Sequence, residues 1–416
     1  MRFLLRIFCV CAALMTLPLG SPPAPAEPAG NGWVQAYEMS PAAYAPLAPP
    51  PGLPKEFEKM FDQTPVRGTL RSRLAVFAAG NRLRVRISNE EGRTPLVVGG
   101  ASIARAAGEM DAVPGTMRQL TFGGKPTVTI APGAPVLSDS VNLPVKAMDE
   151  LVASVFVDEN MPAKPRGGVT LFKSAGNDVL ATTLPAAQPQ SYRPLVSGVL
   201  VEAARPTKVI VAFGDSITDG GRSSPSEPHG WADRLARRLV ARKGPADYAV
   251  VTAGIGGNKV LMDGWGASAL ARADRDVFSV PGATHVIFLE GINDIGAAGK
   301  TIMGDQPELD VDALIAAYEQ IAVRAHARGL KIYAGTLTPI AGSFYGNDAK
   351  EKQRLAVNAW IRSSQVFDGV VDFDAAVRNP ASPLQLKAEY DSGDHLHPGP
   401  AGYAAMGDAI DLKLFN

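Results

Sequence analysis

Cysteine is almost missing: the 416-residue chain holds only Cys9 and Cys11. Both lie in the first apolar stretch, so a chain cut after that stretch has no disulfide, thiolate nucleophile or cysteine metal site. Net charge is missing too, because 41 Lys and Arg balance 41 Asp and Glu. That balance speaks against a nucleic-acid partner, whose binders carry a basic excess, and against a general attraction to anionic membranes. Aromatic residues make up only 7% of the chain. Beyond the N-terminus there is no apolar run of about 18 residues, the length a membrane helix needs. No stable membrane insertion of the mature protein is therefore expected, and no internal repeat is visible.

The chain does begin with a secretory pattern. Arg2 and Arg6 border an apolar run that reaches about Leu19, and Ala24-Pro25-Ala26 offers small residues to a signal peptidase. Residues 1–26 read as a signal peptide, which predicts a secreted or periplasmic protein. The other reading, a membrane anchor, asks for a longer run. Residues 27–64 are rich in Pro and Ala and read as an extended lead-in with little regular structure. At this length two domains are expected. Residues 65–204 are mostly strand-like. Apolar and basic residues alternate through Asn81-Arg82-Leu83-Arg84-Val85-Arg86-Ile87-Ser88, and apolar runs follow at 127–130, 151–157 and 169–172. An accessory β-sandwich is the natural reading.

From 205 to 416 strands and helices alternate. Strands are expected at 208–213, 249–252, 285–289, 331–337 and 369–373. Helical patterns lie at Trp231, Leu235 and Leu239, at 311–328 with Gly329 as the stop, and at 401–414. Such alternation calls for a parallel sheet covered on both faces, with a ligand crevice at the carboxyl ends of its strands.

Four segments fall just after these strands or beside the last helix. In 214–220, GDSITDG, Ser216 stands between a strand end and a helix, where a substrate can reach it. The same residues also serve as turns and caps. In 253–258, AGIGGN, glycines let backbone N–H groups face an anion, or simply make a tight turn. In 290–294, EGIND, the Asn293 amide can donate to a developing oxyanion, or the Asn-Asp pair can cap a helix. In 391–398, DSGDHLHP, Asp394 and His397 are three apart, so the carboxylate can fold back onto the imidazole and fix its tautomer. Two of the five histidines of the chain are here. A zinc site built on Asp394, His395 and His397 is the alternative.

Taken together, in the order Ser, Gly, Asn, Asp-x-x-His, these segments resemble the four blocks of the SGNH hydrolases, also called GDSL-like lipases and esterases. The resemblance covers residues 207–416. AGIGGNKVL and LEGINDIG look most like bacterial secreted members near the acetylxylan esterases. It implies a flavodoxin-like three-layer α/β/α fold with a five-stranded parallel sheet. It also implies Ser216 as nucleophile, with Asp394 and His397 completing a triad. Ser216, Gly257 and Asn293 then form the oxyanion hole, with Gly256 as the neighbouring alternative and His395 as the lesser candidate base. One departure is Ile217 in place of the Leu of the family name. The implied activity is hydrolysis of short-chain, acetyl-type esters, on a small molecule or a polysaccharide, without metal or organic cofactor. Alternatives are a lysophospholipase, arylesterase or thioesterase on the same frame, or a non-catalytic glycan-binding or acyltransferase protein. Residues 221–231, GRSSPSEPHGW, read as a rim loop, with His229 and Trp231 as wall candidates and Trp231 more simply a core anchor.

Overall fold

The computed structural model describes residues 32–43, 65–161, 165, 167, 169–203, 205–220, 230–242, 247–301 and 304–416. The expected signal peptide, most of the expected lead-in, and residues 221–229 with His229 lie outside the described residues.

In β3 (Gly80–Ser88), Leu83, Val85 and Ile87 are fully buried while Arg82, Arg84 and Arg86 point the other way. This is the two-residue period of a strand with one face in a core. Strands β1 (Trp33–Glu38), β2 (Val66–Ala75), β4 (Leu96–Arg105), β5 (Arg118–Gln119), β6 (Val128–Ile130) and β7 (Pro135–Leu137) join it, as do β8 (Val141–Val145), β9 (Glu150–Met161), β10 (Thr170–Ser174), β11 (Gln188–Ser191) and β12 (Val196–Ala203). They make two antiparallel sheets, ordered β1-β12-β3-β7 with β8 on β3, and β11-β10-β2-β9-β4-β5 with β6 on β4. This is the expected N-terminal β-sandwich.

The expectation that residues 27–64 lack regular structure is corrected at β1. Trp33–Glu38 pairs with β12, and Met39 continues as a parallel bridge to Thr252. Val34, Ala36, Tyr37 and Met39 are all buried, because the segment is covered on both sides. The Pro/Ala-rich flanks mask a six-residue strand too short to show a period.

The second half carries β13 (Thr207–Gly214), β14 (Asp247–Gly254), β15 (Ala283–Leu289), the hairpin β16 (Gly299–Thr301) and β17 (Gly304–Gln306), β18 (Lys331–Gly335), β19 (Gly369–Val371), and the hairpin β20 (Arg378–Asn379) and β21 (Ser382–Leu386). Five of these form a parallel sheet in the order β14-β13-β15-β18-β19. Residues Val209 to Phe213 are fully buried in its centre. Helices α1 (Ser216–Asp219), α2 (Trp231–Ala241), α3 (Ala269–Ala273), α4 (Ile292–Ala297), α5 (Val311–Ala327), α6 (Asp348–Ser363), α7 (Phe373–Val377) and α8 (Pro400–Ala409) complete the three layers. Trp231, Leu235 and Leu239 bury one face of α2, which packs on α8, while α5 packs on β18 and α6. Trp231 is a core anchor, fully buried with its ring 5.2 Å from that of Phe373. Helix α5 starts where the Asp310 carboxylate accepts from the Asp312 and Ala313 N–H groups, and it stops at Gly329, whose φ is 73°. Among the described residues no helix is long and apolar enough to cross a membrane.

The first strand, β13, lies inside the sheet with β14 on one side and β15 on the other. The chain therefore turns in opposite directions after β13 and β14, opening a crevice at their carboxyl ends.

Candidate active site

The segment GDSITDG occupies that crevice because of its smallest residue. A Cβ on Gly214 would lie 2.1 Å from the Leu289 carbonyl, so only glycine lets the ends of β13 and β15 come so close. The Asp215 carboxylate accepts from the Ile217 N–H at 2.9 Å and starts α1. Ser216 is thus the first helical residue, with its N–H in the turn where backbone donors have no intrahelical partner. Gly220, at φ 80°, ends the helix after one turn.

The turn at 391–398 brings the imidazole to it. Ser216 Oγ lies 2.8 Å from His397 Nε2, and His397 Nδ1 lies 2.6 Å from Asp394 Oδ2. A carboxylate accepts only, so Nδ1 carries the hydrogen and Nε2 is left to accept from the serine hydroxyl. The Asp394 Oδ1 accepts from the His397 and Leu396 N–H groups at 2.8 and 3.0 Å. Burial raises the Asp394 carboxyl, but the hydrogen bonds from the His397 ring and from these two amides outweigh it and hold the group well below the ordinary carboxylate range. His395 is differently engaged: its Nδ1 lies 2.5 Å from Asp391 Oδ2. Each histidine of the motif therefore has its own carboxylate.

The glycine segment forms a turn closed by Asn258 N–H donating to the Ile255 carbonyl at 3.1 Å. Gly256 faces Ser216, since a Cβ there would lie 3.9 Å from Ser216 Cβ. The peptide N–H that follows belongs to Gly257, whose φ of 70° requires glycine. On its other side Gly257 lies under the Trp265 ring, 3.0 Å from the position a Cβ would take. Asn293 fixes the same turn: its Nδ2 donates to the Asn258 carbonyl at 2.9 Å, and its Oδ1 accepts from the Tyr345 hydroxyl at 3.0 Å. The amide orientation is thereby set, with the second Nδ2 hydrogen left for another acceptor. The Asp294 carboxylate accepts from the Val260 and Leu261 N–H groups at 2.8 and 3.0 Å, tying the rest of this loop to α4.

Three supporting residues were not singled out in the sequence. Tyr345 is one. Arg272, fully buried on α3, is the second: it donates to the Gly214 and Ala253 carbonyls at 2.8 Å each and to Asn258 Oδ1 at 2.7 Å. It also pairs with Asp276 at 3.1 Å and Glu290 at 3.3 Å. One guanidinium thus holds the ends of two strands and the turn that carries Gly257. Its spacing of four from Asp276 is the one local hint. The third is Arg193, between β11 and β12, which reaches Asp219 at 3.3 Å and the Gly254 and Ser40 carbonyls. Behind Ser216 sit three buried acids. Burial pushes Asp294 up to about 6, against the hydrogen bonds from Val260 and Leu261. Asp215 and Glu290 are likewise raised, first by burial, with neighbouring carboxylates adding to it and Arg272 opposing it.

Residues 212–405 match the GDSL-like Lipase/Acylhydrolase family. No curated protein matches the chain. Among solved structures, similarity extends to a lipase/acylhydrolase from Enterococcus faecalis, at 20% identity, covering 49% of this chain and 93% of that one with a TM-score of 0.37. It extends also to Axe2, an acetylxylan esterase from Geobacillus stearothermophilus, at 22% identity, covering 49% and 93% with a TM-score of 0.38. A GDSL-like lipase from Bacteroides thetaiotaomicron is similar at 19% identity, covering 50% and 88% with a TM-score of 0.37.

Proposed function

We propose that this ester hydrolase, whose residues 212–405 match the GDSL-like Lipase/Acylhydrolase family, works through an acyl-enzyme on Ser216 and takes short-chain, acetyl-type esters. The observation that carries the reading is the unbroken line from Ser216 Oγ through the His397 ring to Asp394, with contacts of 2.8 and 2.6 Å.

In the first half-reaction the Ser216 oxygen bonds to the ester carbonyl carbon as its proton passes to His397 Nε2. Asp394 keeps the ring in the receiving tautomer and balances the imidazolium charge. The carbonyl oxygen becomes an oxyanion facing the N–H groups of Ser216 and Gly257 and the free amide hydrogen of Asn293. His397 then gives its proton to the alcohol oxygen as the carbon–oxygen bond breaks, leaving the acyl group on Ser216. Water repeats the sequence, losing a proton to His397 and releasing the acid as the proton returns to Ser216. The likeness of AGIGGNKVL and LEGINDIG to acetylxylan-esterase-like members supports the small acyl group.

The test is hydrolysis of acetyl, butyryl and palmitoyl p-nitrophenyl esters by the wild type and by Ser216→Ala. Rates falling as the chain lengthens, and abolished in a folded Ser216→Ala, are expected. A preference for palmitoyl would refute the substrate reading, and a fully active variant would refute the nucleophile. Acetate release from acetylated xylan then tests the alcohol side.

A further inference from the structure

A cavity of about 370 Å³ lies between the first sheet of the sandwich and residues 274–281, and no residue of the active site lines it. Its size falls in the range of small-molecule sites, about 300–1,000 Å³. Glu38, at the end of β1, lines it and is only 8% exposed. The Glu38 Oε2 is buried without a hydrogen-bond partner. Leaving such a group unmatched is costly, because a desolvated polar atom forfeits its bond to water. Burial, with Asp276 adding to it, pushes the Glu38 carboxyl well above its usual range, and the nearby Arg86, Arg272 and Arg275 oppose the shift without overcoming it. Burial thus disfavours a charge on this carboxyl, and its unpartnered oxygen remains open to a ligand's hydroxyl.

The charges around it are already matched. Arg86 pairs with Glu90 at 2.7 Å, Arg275 with Glu91 at 2.8 Å, and Asp276 with Arg272 at 3.1 Å. A cation or an anion entering here would find no free counter-charge and would lose its hydration. A neutral molecule avoids that cost. Gln35 and Ser197 line the cavity beside Glu38 and add polar atoms, while Val136, Leu200 and Val280 supply an apolar wall.

We propose that this cavity is a binding site for a small neutral polyhydroxylated molecule, whose hydroxyls exchange hydrogen bonds with Glu38 and whose C–H face rests on the apolar wall. The site is separate from the hydrolytic centre, and it shares one residue with the centre's support. Asp276 lines the cavity and also holds Arg272, which holds Gly214 and Asn258.

The test uses the full chain carrying Ser216→Ala, titrated with D-glucose and D-xylose by ligand-observed NMR, with acetate and tetramethylammonium as charged controls. Saturable binding of a neutral sugar is expected. Adding Glu38→Leu, or Ser279→Trp to fill the cavity from its exposed rim, should weaken it by about tenfold or more, the equivalent of about 1.4 kcal/mol. Glu38→Gln should retain binding, and Ser279→Trp alone should leave hydrolysis unchanged. No sugar binding, binding unchanged by Ser279→Trp, or tighter binding of either charged control would overturn the proposal. Should Glu38→Leu fail to fold, Ser279→Trp decides.

Discussion

At the scale of the residue, two other groups hold the Asn293 amide in place. Asn258 and Tyr345 fix its two ends, so in the proposed mechanism the hydrogen it presents is already aimed when charge develops. Losing one such donor lowers turnover on the order of 10²–10³-fold. Asn293→Ala is expected to reduce kcat by that amount with little change in KM. Tyr345→Phe keeps the donor and removes only its anchor, so a smaller loss in kcat is expected. Steady-state kinetics on one p-nitrophenyl ester separates the two, and equal losses would contradict the positioning role. That Ser216, His397 and Asp394 meet, and that Asn293 lies on the Gly257 turn, was legible because each sits in a short motif just after a strand or beside the last helix. Tyr345 was not legible. It acts across 52 positions, and nothing local in AGSFYG distinguishes a tyrosine that steadies an amide from one that packs.

At the scale of the element, the loop after β14 depends on a buried carboxylate. Asp294 holds the Val260 and Leu261 amides, and burial raises its carboxyl to about 6. A carboxyl raised above its unfolded value of about 3.9 contributes stability below that value and loses it as pH rises through the folded one. The wild type is therefore expected to lose stability relative to Asp294→Asn between about pH 4 and 7. Melting curves of both proteins across that window check this, and a constant difference would contradict it. The strands of the parallel sheet were readable as uniform apolar runs, since both of their faces are covered. Strand β18 ends at Gly335 rather than at 337. Leu337 is buried as expected, but its N–H donates to Asn358 Oδ1 on α6 instead of to a neighbouring strand. Burial was visible in the sequence and the partner was not.

At the scale of the whole molecule, the sandwich supports the hydrolytic half through a few long-range contacts. Strand β1 pairs with β12 and bridges to Thr252 through Met39, while Arg193 reaches Asp219 and the end of β14. Arg193 is buried, so removing it leaves a carboxylate and two carbonyls without their partner. Breaking a buried pair in this way costs about 3–5 kcal/mol. Arg193→Met is expected to destabilise the protein on that order in denaturant unfolding and to lower kcat, because Asp219 closes the helix that Ser216 opens. Loss of stability without loss of kcat would confine Arg193 to a structural role. The change from antiparallel sheets to a parallel sheet was readable from the switch between two periods of hydrophobicity. The docking was not, because it rests on one arginine in a loop and one short strand hidden among prolines. In the proposed mechanism the single reactive oxygen is that of Ser216. Treating the protein with a fluorophosphonate and mapping the adduct by peptide mass spectrometry tests that directly. Stoichiometric label on Ser216, absent in Ser216→Ala, is the predicted result, and label on another residue with Ser216 unmodified would contradict the account.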